Sequence, residues 1–258
     1  MRSSRVDFGV PSREIFPPVT KWLLLINIGL WVLISALKFF EVPVPFIDEL
    51  GLTPTKVLHG HIWQLFTYMF LHATPGINHI LFNMMGVWLG AIVERSWGSR
   101  THLRYYLICG TGAGVCVVIV YSLLSSWYPA LMYTNVIGAS GAIYGILLAC
   151  ALLLGDQPIL FNFVMPMKMK WAILIFVLID FITAGSAVSV TAHLGGALTG
   201  FIYFKSGLLS RSSRRKTRAM NWFNDLEDRY KVWKMARAKR KFEEYMNKQD
   251  RNRGPWVH

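Results

Sequence analysis

The chain has 258 residues, 53% of them hydrophobic and only 16% charged, with a mean hydropathy of +0.38 and a net charge of +13. Its apolar runs are too long for the helices of a soluble core, which excludes an ordinary soluble domain and makes a polytopic, all-α membrane protein the expectation. The basic excess would suit nucleic acid, but Lys and Arg follow the alternation of loops between apolar segments, so no nucleic-acid partner is expected.

Windows of about 20 residues place six transmembrane helices near 21 to 40, 76 to 93, 103 to 126, 136 to 155, 171 to 184 and 190 to 207. Arg2, Arg5, Arg13 and Lys21 precede the first span, Arg95, Arg100 and Arg104 fill the second loop, and Lys168 and Lys170 fill the fourth. Lys38 and Lys56 fall on the other side, and the asymmetry puts both termini in the cytoplasm. The chain then divides into a cytoplasmic segment 1–20, a six-helix membrane domain 21–207 and a basic, aromatic cytoplasmic tail 208–258.

In the tail, Arg214, Arg215, Lys216, Lys239, Arg240 and Lys241 frame Trp222, Leu226, Tyr230 and Trp233 at helical spacing. This reads either as a helix binding anionic lipid at the bilayer surface or as a solvated tail. No cleavable signal and no Arg-rich amphipathic leader is apparent, which favours a bacterial inner membrane over an organelle. Cys109, Cys116 and Cys150 are odd in number and fall in spans, against a disulfide framework. Neither CxxC nor HExxH occurs, so no metal and no other cofactor is expected.

Topology sets the depth of each polar group. At about 1.5 Å per residue, Ser140 in Gly138-Ala139-Ser140-Gly141 and His193 in Ala192-His193-Leu194-Gly195-Gly196 each lie roughly 5 to 10 Å below the outer surface. His79 and Asn83, at i and i+4 on one helix face, occupy the same layer of the second span. Such groups are costly inside a membrane, and their convergence from three segments is a functional signal. Glycines explain close helix packing, but close packing does not explain the histidines.

The chemistry suits that layer. A serine hydroxyl is a weak nucleophile until a base takes its proton, and neutral imidazole does so near neutral pH. Attack on an amide creates an oxyanion, for which the Ser140 backbone N–H and the side chains of His79 and Asn83 are candidate donors. Gly138 and Gly141 allow a tight turn there. An aspartyl mechanism is disfavoured because Asp156 and Asp180 fall at opposite ends of their spans. Gly110-Thr111-Gly112 lies in an apolar helix and reads as close packing.

Gly138-Ala-Ser140-Gly141-Ala-Ile-Tyr144-Gly145, Ala192-His193-Leu-Gly195-Gly196-Ala-Leu-Thr-Gly200 and His79-Ile-Leu-Phe-Asn83 resemble, in order and across the six-helix core, the rhomboid intramembrane serine proteases. The resemblance implies a rhomboid-like bundle with a partly embedded loop between helices 1 and 2. It implies a Ser-His dyad, with Ser140 as nucleophile and His193 as general base, and cleavage of transmembrane protein substrates near the outer interface through an acyl-enzyme. His79 and Asn83 match the family's oxyanion region, and Tyr144 matches an aromatic position that packs on the catalytic imidazole.

Trp63, Phe66, Tyr68, Phe70 and His72 suit an interfacial element in the first loop. Gln64 stands where the family often has Arg, which puts any role of that arginine in doubt. Glu94-Arg95 with Gly98-Ser99 reads as a cap of the cytoplasmic end. Asp180 either orients His193, lines a substrate gate or is a structural carboxyl. The alternative to a protease is a catalytically inactive rhomboid-like protein that binds membrane clients.

Overall fold

A computed structural model describes residues 16–74, 77–161, 165–183 and 187–206, together with positions 234, 235, 237, 239 and 240 of the tail. Long helices fall within about a turn of the six expected segments: α1 (Pro18–Phe39), α5 (Asn78–Trp97), α6 (Ser99–Leu124), α7 (Ser140–Leu154), α8 (Met169–Thr183) and α9 (Ala187–Lys205). Of these, α1 and α6 are long and apolar enough to cross a membrane by length and composition alone, and α7 and α8 are shorter apolar helices.

α1 shows how sequence makes such a helix. Pro18 occupies its first turn, where no backbone N–H is needed. Thr20, Leu23, Asn27 and Ile34 form one buried stripe. Trp22, Leu25, Ile28 and Val32 remain exposed and apolar, a surface that needs a lipid rather than an aqueous neighbour. The N-terminal amides of α1 are capped from another helix: Glu94 on α5 accepts from Val19 N at 2.9 Å, Thr20 N at 2.7 Å and Thr20 Oγ1 at 2.7 Å. Ser99 Oγ donates to the same carboxylate at 2.7 Å. Gly98, at φ +83°, makes the break between α5 and α6. The expected cap is therefore a shared carboxylate joining α1, α5 and α6.

At the centre, α6 packs on α7 and α9, with α5 against α7 and α1 against α5. Small residues set these approaches. A methyl on Gly112 would run into Thr199, and one on Gly110 would meet Met69, so the Gly110-Thr111-Gly112 run is close packing, as read.

The loop between α1 and α5 folds into short helices α2 (Phe46–Leu50), α3 (Pro54–Leu58) and α4 (Gln64–Thr67), then a 3-10 turn, Tyr68–Phe70. Gln64 is wholly buried; its Oε1 accepts from Thr53 N at 3.0 Å and its Nε2 donates to the carbonyls of Asp48 and Glu49. The amide thus ties the loop together at the position where an arginine was in question. Trp63 and Phe66 are exposed, as an interfacial element requires, but Tyr68 and His72 are buried.

The expected all-α content needs one correction. The fourth loop contains an antiparallel hairpin, β1 (Pro158–Phe161) paired with β2 (Met165–Lys168) in the register Pro158↔Lys168. Pro158 and Pro166 oppose helix here, and Met169 N and Lys170 N donate to Gln157 O and Gly155 O, so the hairpin runs directly into α8. Asp156 pairs with Lys168 at 3.2 Å and Lys170 at 2.8 Å, and their hydrogen bonds and charge, Lys170 first, hold its carboxyl below the ordinary range. The side chain of Asp180 and the tail residues Arg214, Arg215, Lys216, Trp222, Leu226, Tyr230, Trp233 and Lys241 lie outside the described residues.

Candidate functional site

The segment before Ser140 is extended and held from behind. Leu52 and Val136 exchange two backbone hydrogen bonds, at 2.9 and 2.8 Å, and Thr55 Oγ1 donates to Met132 O at 2.7 Å. Gly138 N donates to Tyr68 O at 3.0 Å, while the Tyr68 hydroxyl donates to Gly110 O at 2.8 Å. Gly138 has φ +130°, a conformation that favours glycine, and this turn delivers the chain into α7 with Ser140 as its first residue. At a helix start the Ser140 N–H has no intrahelical acceptor and is free to serve a ligand.

Two glycine pairs fix the opposite wall. A methyl on Gly196 would strike the Gly141 carbonyl, and one on Gly200 would lie 3.1 Å from Gly145 Cα, so α7 and α9 cross backbone to backbone. A methyl on Gly141 would lie 3.3 Å from Ala192 O, which puts the residue after Ser140 beside the residue before His193. One turn along α7, the Tyr144 ring stacks on the His193 imidazole with centroids 4.2 Å apart and planes at 15°. His193 is 7% exposed.

The third wall is α5. The point that a Cβ on Gly138 would occupy is 3.1 Å from His79 Nε2 and 3.9 Å from Ser140 Oγ, so both side chains border the same turn. Asn83 donates through Nδ2 to His79 O at 2.7 Å. With Phe82, Ser140, Ile143, Tyr144 and Phe176 it lines a cavity of about 20 Å³, room for one water. A larger apolar recess of about 580 Å³, lined by Phe66, Leu107, Thr111 and Thr199 among others, has none of these polar groups.

Sequence reasoning misplaced one neighbour of the site. His72, expected at the interface, is 2% exposed, and its ring lies 5.5 Å from that of His79. Burial, aided by the neighbouring His79, pushes its pKa down to about 3, so the ring is neutral at physiological pH. It lies seven residues before His79 but outside α5, which starts at Asn78, so no helical periodicity could have paired the two rings. Among the described residues no three His, Cys, Asp or Glu side chains come together as a metal site.

Residues 59–208 match the Rhomboid domain family. Over 195 residues the chain is 29% identical to "Rhomboid-like protein 14, mitochondrial" of Arabidopsis thaliana, an overlap of 73% of this chain and 56% of that protein. Over 158 residues it is 27% identical to "Rhomboid protein 1, mitochondrial" of Saccharomyces cerevisiae, covering 56% of this chain and 43% of the yeast protein. The chain thus spans about half the length of these curated relatives.

Proposed function

This chain belongs to the rhomboid family, and from that premise we propose that it is an intramembrane serine endopeptidase with Ser140 as nucleophile and His193 as general base. The observation that carries the reading is the crossing of α7 and α9 at Gly141 and Gly196, with Tyr144 stacked on His193. Ser140 begins α7 and His193 lies inside α9, which starts at Ala187, and the residues next to each, Gly141 and Ala192, adjoin. The topology that goes with it has six membrane crossings and cytoplasmic termini, so that Ser140 and His193 lie in the outer half of the bilayer. The chain is a membrane protein. Both relatives carry mitochondrial names, and the expected bacterial inner membrane draws no support from them.

In the proposed reaction, Ser140 Oγ attacks the scissile carbonyl of an unwound substrate segment while His193 takes the hydroxyl proton. The oxyanion that forms is met by the Ser140 N–H, His79 and the second amide hydrogen of Asn83, the first being engaged with His79 O. The C–N bond breaks, and His193 returns its proton to the leaving amine, giving an acyl-enzyme. Water then adds to the ester carbonyl, passing its proton to His193, and Ser140 leaves with that proton restored. The ring of Tyr144 holds the imidazole plane through both steps.

Labelling of the purified protein by a fluorophosphonate tests the nucleophile. Labelling is expected in the wild type, absent in Ser140→Ala and strongly slowed in His193→Ala. Equal labelling in all three, or none in the wild type under conditions where it cuts a substrate, argues against the dyad. A folded wild type that neither labels nor cuts would favour the client-binding alternative.

A further inference from the structure

His72 is a buried polar side chain beside this site for which the reaction above has no use. The backbone around it is pinned: Leu71 N donates to Tyr68 O at 3.2 Å, the carbonyl that also receives Gly138 N, and the next residue, Ala73, accepts from Trp31 Nε1 at 3.0 Å. The ring therefore has a fixed place beside His79 of α5. It faces His79 at 5.5 Å with planes at 51°, and the Phe70 backbone and Asn83 are both close enough to act on it as hydrogen-bonding neighbours. Yet both ring nitrogens of His72 and the Oδ1 of Asn83 are buried without completing a hydrogen bond.

Two complementary groups, a neutral imidazole N–H and an amide oxygen, thus lie side by side and unjoined. Buried polar atoms left in that state are costly, and hydrogen bonds at reaction centres are commonly long before substrate binds and close as charge develops. Asn83 can offer only Nδ2 to an oxyanion; one of its hydrogens is engaged with His79 O, and a second bond, at Oδ1, would fix the amide plane and so the aim of the other.

We propose that His72 is a positioning residue for the two oxyanion donors: its ring closes a hydrogen bond to Asn83 Oδ1 as the tetrahedral intermediate forms, aiming Nδ2 into the cleft, and backs the His79 ring. The assignment rests on the protease reading. It concerns neither nucleophile nor base, and His72 touches no reacting atom.

The test is steady-state cleavage of a transmembrane reporter in lipid vesicles by the wild type, His72→Phe and His72→Gln, each with its thermal midpoint. Phe keeps a flat ring and offers no hydrogen bond; Gln restores a donor and an acceptor. His72→Phe is expected to lower kcat about 10-fold with KM unchanged, and His72→Gln to recover most of that loss. A kcat in folded His72→Phe equal to the wild type overturns the assignment, as does a His72→Gln no better than His72→Phe, or a loss that tracks the thermal midpoint in both. If His72→Phe does not fold, a folded His72→Gln within about 3-fold of wild type supports the role, and a larger loss overturns it. A wild type that cuts nothing overturns the protease reading and this assignment with it, whereas a cutting wild type with indifferent His72 variants overturns this assignment alone.

Discussion

Gly196→Ala separates the geometry of the α7–α9 crossing from its contribution to stability. The added Cβ would stand 2.6 Å from the Gly141 carbonyl carbon and 3.1 Å from its Cα, with the carbonyl oxygen closer still. Carbon atoms in contact prefer about 3.5 to 4.0 Å, so the helices must part by roughly 1 Å. Overpacking of this kind costs about 1 to 3 kcal/mol, which leaves a domain of ordinary stability almost wholly folded. A shift of about 1 Å between reacting groups, by contrast, costs on the order of 100-fold in rate. Cleavage of a transmembrane reporter in vesicles, read beside the thermal midpoint, should therefore show a large loss of kcat in a protein that still folds. Gly29→Ala on α1, where a methyl meets nothing within 4 Å, is the control and should keep the wild-type rate. A folded Gly196→Ala protein cutting as fast as wild type would refute the claim that this crossing sets the dyad.

Glu94→Gln removes the charge that caps α1 and places an amide N–H₂ among its four donors, so thermal unfolding should show a loss of about 3 kcal/mol; an unchanged midpoint would contradict the cap. Tyr144→Ala should lower kcat about 10-fold, with Tyr144→Phe near wild type, because the stacked ring is what holds His193; equal loss in both would point to the hydroxyl instead. Asp180→Asn should leave cleavage largely intact, and a loss comparable to that of Ser140→Ala in folded protein would give that carboxyl a part in the chemistry.

Hydropathy located the long helices because an apolar run is a composition, readable without neighbours. Their ends were less legible. α6 starts at Ser99, with polar residues through His102 that a hydropathy window discards, although Gly98 at φ +83° and the Ser99 bond to Glu94 make them helical. α7 starts only at Ser140 because Val136 pairs with Leu52 and Gly138 turns the chain, so four apolar or small residues that read as membrane helix are extended or turn instead. The β1–β2 hairpin was invisible for a similar reason: Pro and apolar residues in a loop do not announce their pairing.

Of the candidate site, counting along helices suggested one layer for Ser140, His193, His79 and Asn83; in the structure His79 and Ser140 border the turn at Gly138, and His193 stacks on Tyr144. The burial of His72 beside His79 was not readable, since it depends on how the loop between α1 and α5 folds back. The contacts of that loop are long-range bonds such as Gly138 N to Tyr68 O and Trp31 Nε1 to Ala73 O, which no local pattern encodes.

The most direct measurement is cleavage of a transmembrane reporter by purified wild-type protein in lipid vesicles, beside Ser140→Ala and His193→Ala variants shown to be folded. The account predicts cutting by the wild type and its loss, by more than about 1,000-fold, in each variant. Cutting that persists in either folded variant would contradict the dyad.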